Sequence, residues 1–185
     1  MTAPDAAQTP TTRTSIARRR IALAAGAASV AAIDLGAKAW AESYLHAPIP
    51  LGPIDLRLAY NPGVAFSIGT GAPTWLIIAL TAAVTVAVAA VAWRAAALPA
   101  TLRLIALTLV VGGATANVID RARDGVVTDY LHSGWFPTFN LADTAIVTGA
   151  ALLVLTALRQ PGTDSSSGDP TSQTSEDVAP PRHAG

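Results

Sequence analysis

The sequence predicts an all-α membrane protein with four spanning helices, on two observations. Of 185 residues, 13% are charged and 51% are hydrophobic, with a mean hydropathy of +0.44. A soluble domain carries about a quarter charged residues, so a chain with half that fraction belongs in a bilayer. The apolar residues also gather in four stretches, each approaching the ~20 residues that a helix needs to cross a hydrocarbon core ~30 Å thick. Lys+Arg and Asp+Glu balance at 12 each, which argues against a nucleic-acid partner. The absence of cysteine excludes disulfides, thiolate metal sites and a cysteine nucleophile. His46, His132 and His183 are scattered without HExxH-like spacing, so neither a metal nor a cofactor is expected.

The first span is expected over residues 21–40, interrupted by Asp34 and Lys38. The second, 75–93, contains no charge and has a tryptophan at each end, as an interfacial belt requires. The third runs from about 104 to 119. The fourth covers 141–158, with Asp143 near its start. Residues 1–15 are rich in Thr, Ala and Pro, and 160–185 in Ser, Pro, Gly and Asp. Neither stretch can bury enough apolar surface to offset the entropy of ordering, so both are expected to be disordered. The domain plan is a tail over 1–19, a four-span domain over 20–159 and a second tail over 160–185.

Orientation follows from the basic residues. Arg13, Arg18, Arg19, Arg20, Arg94, Arg103 and Arg159 flank one side of the spans, against Arg57, Arg121 and Arg123 on the other. The bias places both termini in the cytoplasm and the connections 41–72 and 121–140 outside. An Arg cluster, a short apolar stretch and small residues near Val30-Ala31-Ala32 also describe a cleavable signal peptide. The apolar stretch continues to Trp40, however, which favours an uncleaved first span.

An ionisable group inside a span costs about 2.5–3.5 kcal/mol on insertion scales, so each needs a reason. Asp34 and Lys38 are four apart and share a helix face. They form either a structural ion pair or a direct contact to substrate. The third span ends in Gly112-Gly113-Ala114-Thr115-Ala116-Asn117, small residues that let helices approach closely, with space for a helix or an acyl chain. Asn117, Asp120 and Arg121 then share one face at the outer boundary and are expected to support the site rather than do chemistry. Asp129 follows the Gly125 turn in a short apolar segment. Asp143 lies in the first turn of the fourth span, where a carboxylate interacts favourably with the helix dipole. Taken singly, Asp129 reads as a solvated loop acid and Asp143 as a helix cap. Together with Asn117, Asp120, Arg121 and Asn140 they make a polar nest at the rim of an apolar bundle. Two carboxylates a few ångströms apart share a proton, and such a pair can activate water while protonating a carbonyl oxygen. That is peptide-bond hydrolysis without a metal or a covalent intermediate.

These residues resemble the bacterial lipoprotein signal peptidases (signal peptidase II), aspartic endopeptidases of the inner membrane. Asp34-Leu35-Gly36-Ala37-Lys38 resembles the family's first-helix block, and Asn61-Pro62-Gly63-Val64-Ala65-Phe66-Ser67 its first outer-loop block. Gly112-Gly113 through Asn117, Ile119-Asp120-Arg121, Gly125 and Val127-Thr128-Asp129 resemble the third, and Phe139-Asn140-Leu141-Ala142-Asp143 the fourth. The resemblance covers roughly residues 20–158. It departs at Ala116, where the family usually has glycine, and at Ala37, where it often has threonine. It implies that Asp129 and Asp143 are the catalytic dyad, that Asn117, Asp120, Arg121 and Asn140 line or brace it, and that Asp34, Lys38 and Asn61 are further polar positions of the site. It also implies removal of the signal peptide from prolipoproteins just before a diacylglyceryl-modified cysteine, at the extracytoplasmic face of the cell membrane. A small extracytoplasmic β-structured region is implied too, for which the alternating Ile54-Asp55-Leu56-Arg57-Leu58 is the candidate. The expected partners are lipid-modified prolipoproteins and membrane lipids, and the expected unit is a monomer. Two other readings compete: a small transporter or proton relay, which predicts acids near mid-span, and a catalytically silent scaffold for lipoprotein precursors.

Overall fold

Six elements follow one another: α1 (Pro10–Tyr44), β1 (Asp55–Asn61), α2 (Thr74–Ala95), α3 (Thr101–Asp124), β2 (Val127–His132) and α4 (Leu141–Leu158). This computed structural model describes residues 10–63 and 73–159. The expected C-terminal tail, the first part of the N-terminal one and Val64 to Ser67 of the second motif block lie outside the described residues. All four long helices are apolar and long enough to cross a membrane. The expected all-α membrane architecture with a small β region is what the chain adopts.

The first helix departs most from expectation. Its 35 residues correspond to about 52 Å, longer than the ~40–45 Å of a whole bilayer with headgroups. It therefore begins at Pro10, inside the segment expected to be a tail, and continues past Trp40 to Tyr44. Both extensions have physical causes. At one end Arg19 donates to the Leu98 carbonyl. Arg20 donates to the Trp93 carbonyl at 3.3 Å and lies 5.1 Å above the Trp93 ring, so Arg20 meets the last turn of α2, where helix carbonyls lack intrahelical partners, and Arg19 meets the turn that follows it. At the other end Ala41 and Leu45 bury themselves against Tyr130 of β2, with Leu56 and Leu58 of β1 packed alongside.

Helix α3 is the centre of the bundle, packing against α1, α2 and α4. The small residues make this possible. A Cβ added at Gly113 would stand 2.5 Å from the Ala142 carbonyl oxygen, and one at Gly112 would stand 2.8 Å from that of Ala27. Both are closer than van der Waals contact permits. Ala116 is fully buried against Ala31 and Ala142, so the extra methyl at this departure from the family pattern is accommodated. Of the two occupants expected for this stripe, a helix or an acyl chain, the helix is the one present: α1 packs at Gly112 and α4 at Gly113.

Strands β1 and β2 pair antiparallel, with Ala59 opposite Asp129 and Asn61 opposite Val127, and an irregularity between Leu56 and Ala59. Gly125, at a φ of 90°, ends α3 and turns the chain into β2. Only a residue tolerant of the left-handed region does this without strain. The chain then folds back, so that Phe139 pairs with Leu131, and the Tyr130 and Leu131 amides both donate to the Phe139 carbonyl, at 3.0 and 2.8 Å. That return places the start of α4 beside Asp129.

Candidate active site

Asp129 is not the solvated loop acid that its position in sequence suggested in isolation. It lies on β2 and is 2% exposed. Asn140, the N-cap of α4, joins it to Asp143. The Asn140 side chain donates to Asp129 Oδ1 at 2.7 Å and accepts from the Asp143 amide at 2.8 Å. The Asp143 carboxylate in turn accepts from the Asn140 amide at 3.3 Å, a reciprocal capping box. One asparagine therefore caps the helix and fixes both carboxylates in a single act.

Burial is the main influence on Asp129. Burial and, after it, the neighbouring Asp143 charge outweigh the opposing contacts and leave the pKa raised from 3.8 to about 6. Hydrogen bonds from Asn140 and Asn61 and the Lys38 charge oppose the rise. Burial likewise raises the Tyr130 phenol, leaving it protonated, with its oxygen 3.4 Å from the Leu141 amide.

Lys38, 1% exposed, organises the other side of the site. Its ammonium lies 2.9 Å from Asp34 and 3.2 Å from Asp120, and donates to Asn117 Oδ1 at 2.7 Å. The Asn140 amide lies 3.3 Å from the same oxygen. With its oxygen so occupied, Asn117 must turn its NH2 outward, and that group donates to Asp143 Oδ1 at 2.8 Å. Asp34 and Lys38 form the ion pair expected of them, wholly buried. Asp34 also accepts from the Ala142 amide at 2.8 Å, so the pair ties α1 to α3 and to the first turn of α4. A buried cation among two carboxylates and an amide oxygen satisfies the condition under which buried charge is tolerable.

Asp120 accepts from the Thr128 amide at 2.8 Å and so holds β2 as well as Lys38. Arg121 is buried, its charge acts on Asp129, Asp120 and Asp143, and its Nε has no hydrogen-bond partner among the described residues. Asn61, opposite Val127, hydrogen-bonds Asp129 through its side chain, and its Oδ1 accepts from the Gly63 amide at 2.9 Å. Among the described residues, Asp34, Lys38, Asn61, Asn117, Asp120, Arg121, Asp129, Asn140 and Asp143 thus gather in one polar cluster.

The matched family model, described as signal peptidase (SPase) II, spans residues 26–159. This chain belongs to the signal peptidase II family. Among relatives named lipoprotein signal peptidase, that of Rhodococcus jostii is 38% identical over 155 residues, covering 76% of this chain and 74% of the relative. That of Mycobacterium avium is 35% identical over 151 residues, covering 76% and 81%. In fold, the chain matches a bacterial membrane enzyme structure obtained by the in meso method at 1.9 Å, with a TM-score of 0.65 at 22% identity, covering 76% of this chain and 94% of that one. The family is one of peptidases, and four apolar helices make this member a multi-pass membrane protein.

One residue beside the site, Glu42, escaped the sequence reading. Glu42 accepts from the Thr128 hydroxyl at 2.8 Å and pairs with Arg123 at 2.5 Å. Thr128, fully buried, is thereby held through its amide, its hydroxyl and, by a long contact of 3.5 Å from Asn140, its carbonyl. The available signal was periodicity: Asp34, Lys38 and Glu42 continue one helix face at four-residue steps. Ending the first span at Trp40 hid it.

Proposed function

We propose that this chain is an aspartic endopeptidase that removes signal peptides from diacylglyceryl-modified prolipoproteins, cutting before the lipidated cysteine. The observation that carries the reading is the Asn140 bridge, which binds Asp129 and Asp143 to one amide. Asp129, with a pKa near 6, holds the shared proton and gives it to the scissile carbonyl oxygen. Asp143 takes a proton from the attacking water. Collapse of the tetrahedral intermediate returns a proton to the leaving amine and restores the pair. Arg121, Asn117 and Asn140 hold the charge pattern fixed while the proton moves, which is electrostatic preorganisation. The basic-residue bias puts the sheet and the dyad on the extracytoplasmic side, with both termini in the cytoplasm. The four-span domain extends to residue 159.

Two acyl chains give stable membrane anchoring where one is marginal, so the lipid holds the substrate's cysteine at the depth of the dyad. The test uses purified protein in liposomes with one precursor, with and without its diacylglyceryl group. Cleavage of the lipidated form alone is expected. Equal cleavage of the unmodified precursor would leave a membrane aspartic peptidase with no requirement for lipid.

A further inference from the structure

With the α3 small-residue stripe filled by the protein's own helices, an acyl chain beside the dyad needs another seat. A groove of about 360 Å³ supplies one. One wall is Trp135, Phe136 and Phe139 of the β2–α4 connection, and the other is Asp143, Val147 and Thr148 of α4. The aromatic wall is continuous: Trp135 and Phe136 rings meet edge to face at 5.6 Å, and Phe136 and Phe139 at 6.1 Å. On α4, residues 143, 144, 147 and 148 line the groove over about 7 Å of axial rise into the span. The groove therefore starts at a carboxylate of the dyad and runs toward the bilayer interior. Trp135 is 86% and Val147 69% exposed, so these surfaces are open to an occupant.

The chemistry of the walls selects that occupant. An extended peptide would lay backbone N–H and C=O groups against mostly apolar walls and leave them unpaired. The nearby Thr144 hydroxyl is already donated to the Asn140 carbonyl at 3.1 Å. An aliphatic chain carries no such groups. We propose that this groove seats one acyl chain of the lipidated cysteine and so sets the scissile bond against the dyad, an inference that rests on the substrate reading above. Lipid tails are as apolar as the groove, so little affinity is gained by entering it. The benefit is positional and appears in the rate of cleavage.

The experiment compares two precursors in the same detergent micelles, one bearing dipalmitoylglyceryl and one dihexanoylglyceryl cysteine, cleaved by the full chain. The expected wild-type kcat/KM favours the long chains at least tenfold. Val147→Trp, which fills the groove, and Trp135→Ala, which removes a wall, are each expected to bring the ratio toward one by slowing the long-chain substrate most. Dividing by the wild-type ratio cancels any difference in micelle partitioning. Variants that keep the wild-type ratio, or lose both substrates in equal proportion, overturn the groove. Should Val147→Trp fail to fold, Trp135→Ala, on the exposed connection, decides alone. A wild-type enzyme that needs lipid but ignores its length defeats only this inference, whereas one that cleaves unmodified precursor equally well defeats the substrate reading beneath it.

Discussion

Asp129→Asn is expected to destroy activity and yet stabilise the protein above pH 6. The folded-state pKa of Asp129 is about 6 against 3.8 for the free group. Between these values the folded state binds more protons than the unfolded one, so stability falls as pH rises through the window and then levels off. At 1.36 kcal/mol per unit, the difference amounts to at most about 3 kcal/mol at pH 7. Asparagine has nearly the same shape, keeps an oxygen for the Asn140 donor and carries no charge to desolvate, so the variant recovers this amount. For a protein of this size it corresponds to roughly 6–12 °C in Tm. Thermal melts of both proteins in one detergent between pH 4 and 8 make the measurement. The curves should converge near pH 4 and separate with the variant higher above pH 6. A variant less stable than wild type at pH 8, or parallel to it throughout, would refute the claim that Asp129 is held at an energetic cost in the folded protein.

Three more outcomes follow from the same geometry. Glu42→Ala is expected to lower kcat about tenfold with little change in KM, through loss of the acceptor that holds Thr128, while Glu42→Gln retains most activity; steady-state kinetics on both variants decide it. Arg121→Ala removes a positive charge acting on Asp129, so the basic limb of the kcat/KM profile, expected near pH 6 in wild type, should move up by on the order of one unit; an unmoved limb would make Arg121 a purely structural residue. Reporter fusions following residue 159 should be active only in the cytoplasm and those in the β1 region only outside, as the Arg bias requires.

What the sequence disclosed and what it withheld divide along physical lines. The spans were legible because crossing a bilayer is a matter of apolar length, and α4 coincides with its expectation at both ends. The ends of α1 were not, because they are fixed by partners far away in sequence: Trp93 and Leu98 at one end, Tyr130 at the other. Strand β2 was hidden in a short apolar run, since its identity depends on pairing with β1. Motif residues betrayed the site because buried charge is costly enough to need explanation. Their wiring did not show: nothing local reveals that Lys38 orients Asn117 or that Asn140 reaches Asp129.

The dyad itself is tested most directly by purified wild type, Asp129→Asn, Asp143→Asn and the double variant, reconstituted in liposomes with a diacylglyceryl-modified precursor. Mass spectrometry of the products reports both the bond cut and the rate. Cleavage immediately before the lipidated cysteine is expected from wild type, with each single variant reduced by at least a thousandfold, on the order expected for essential catalytic groups. The double variant should be no worse than either single one, because two groups sharing one proton act as a unit. Near-normal turnover by either single variant, with membrane insertion intact, would contradict the assignment of that aspartate and with it the shared-proton mechanism.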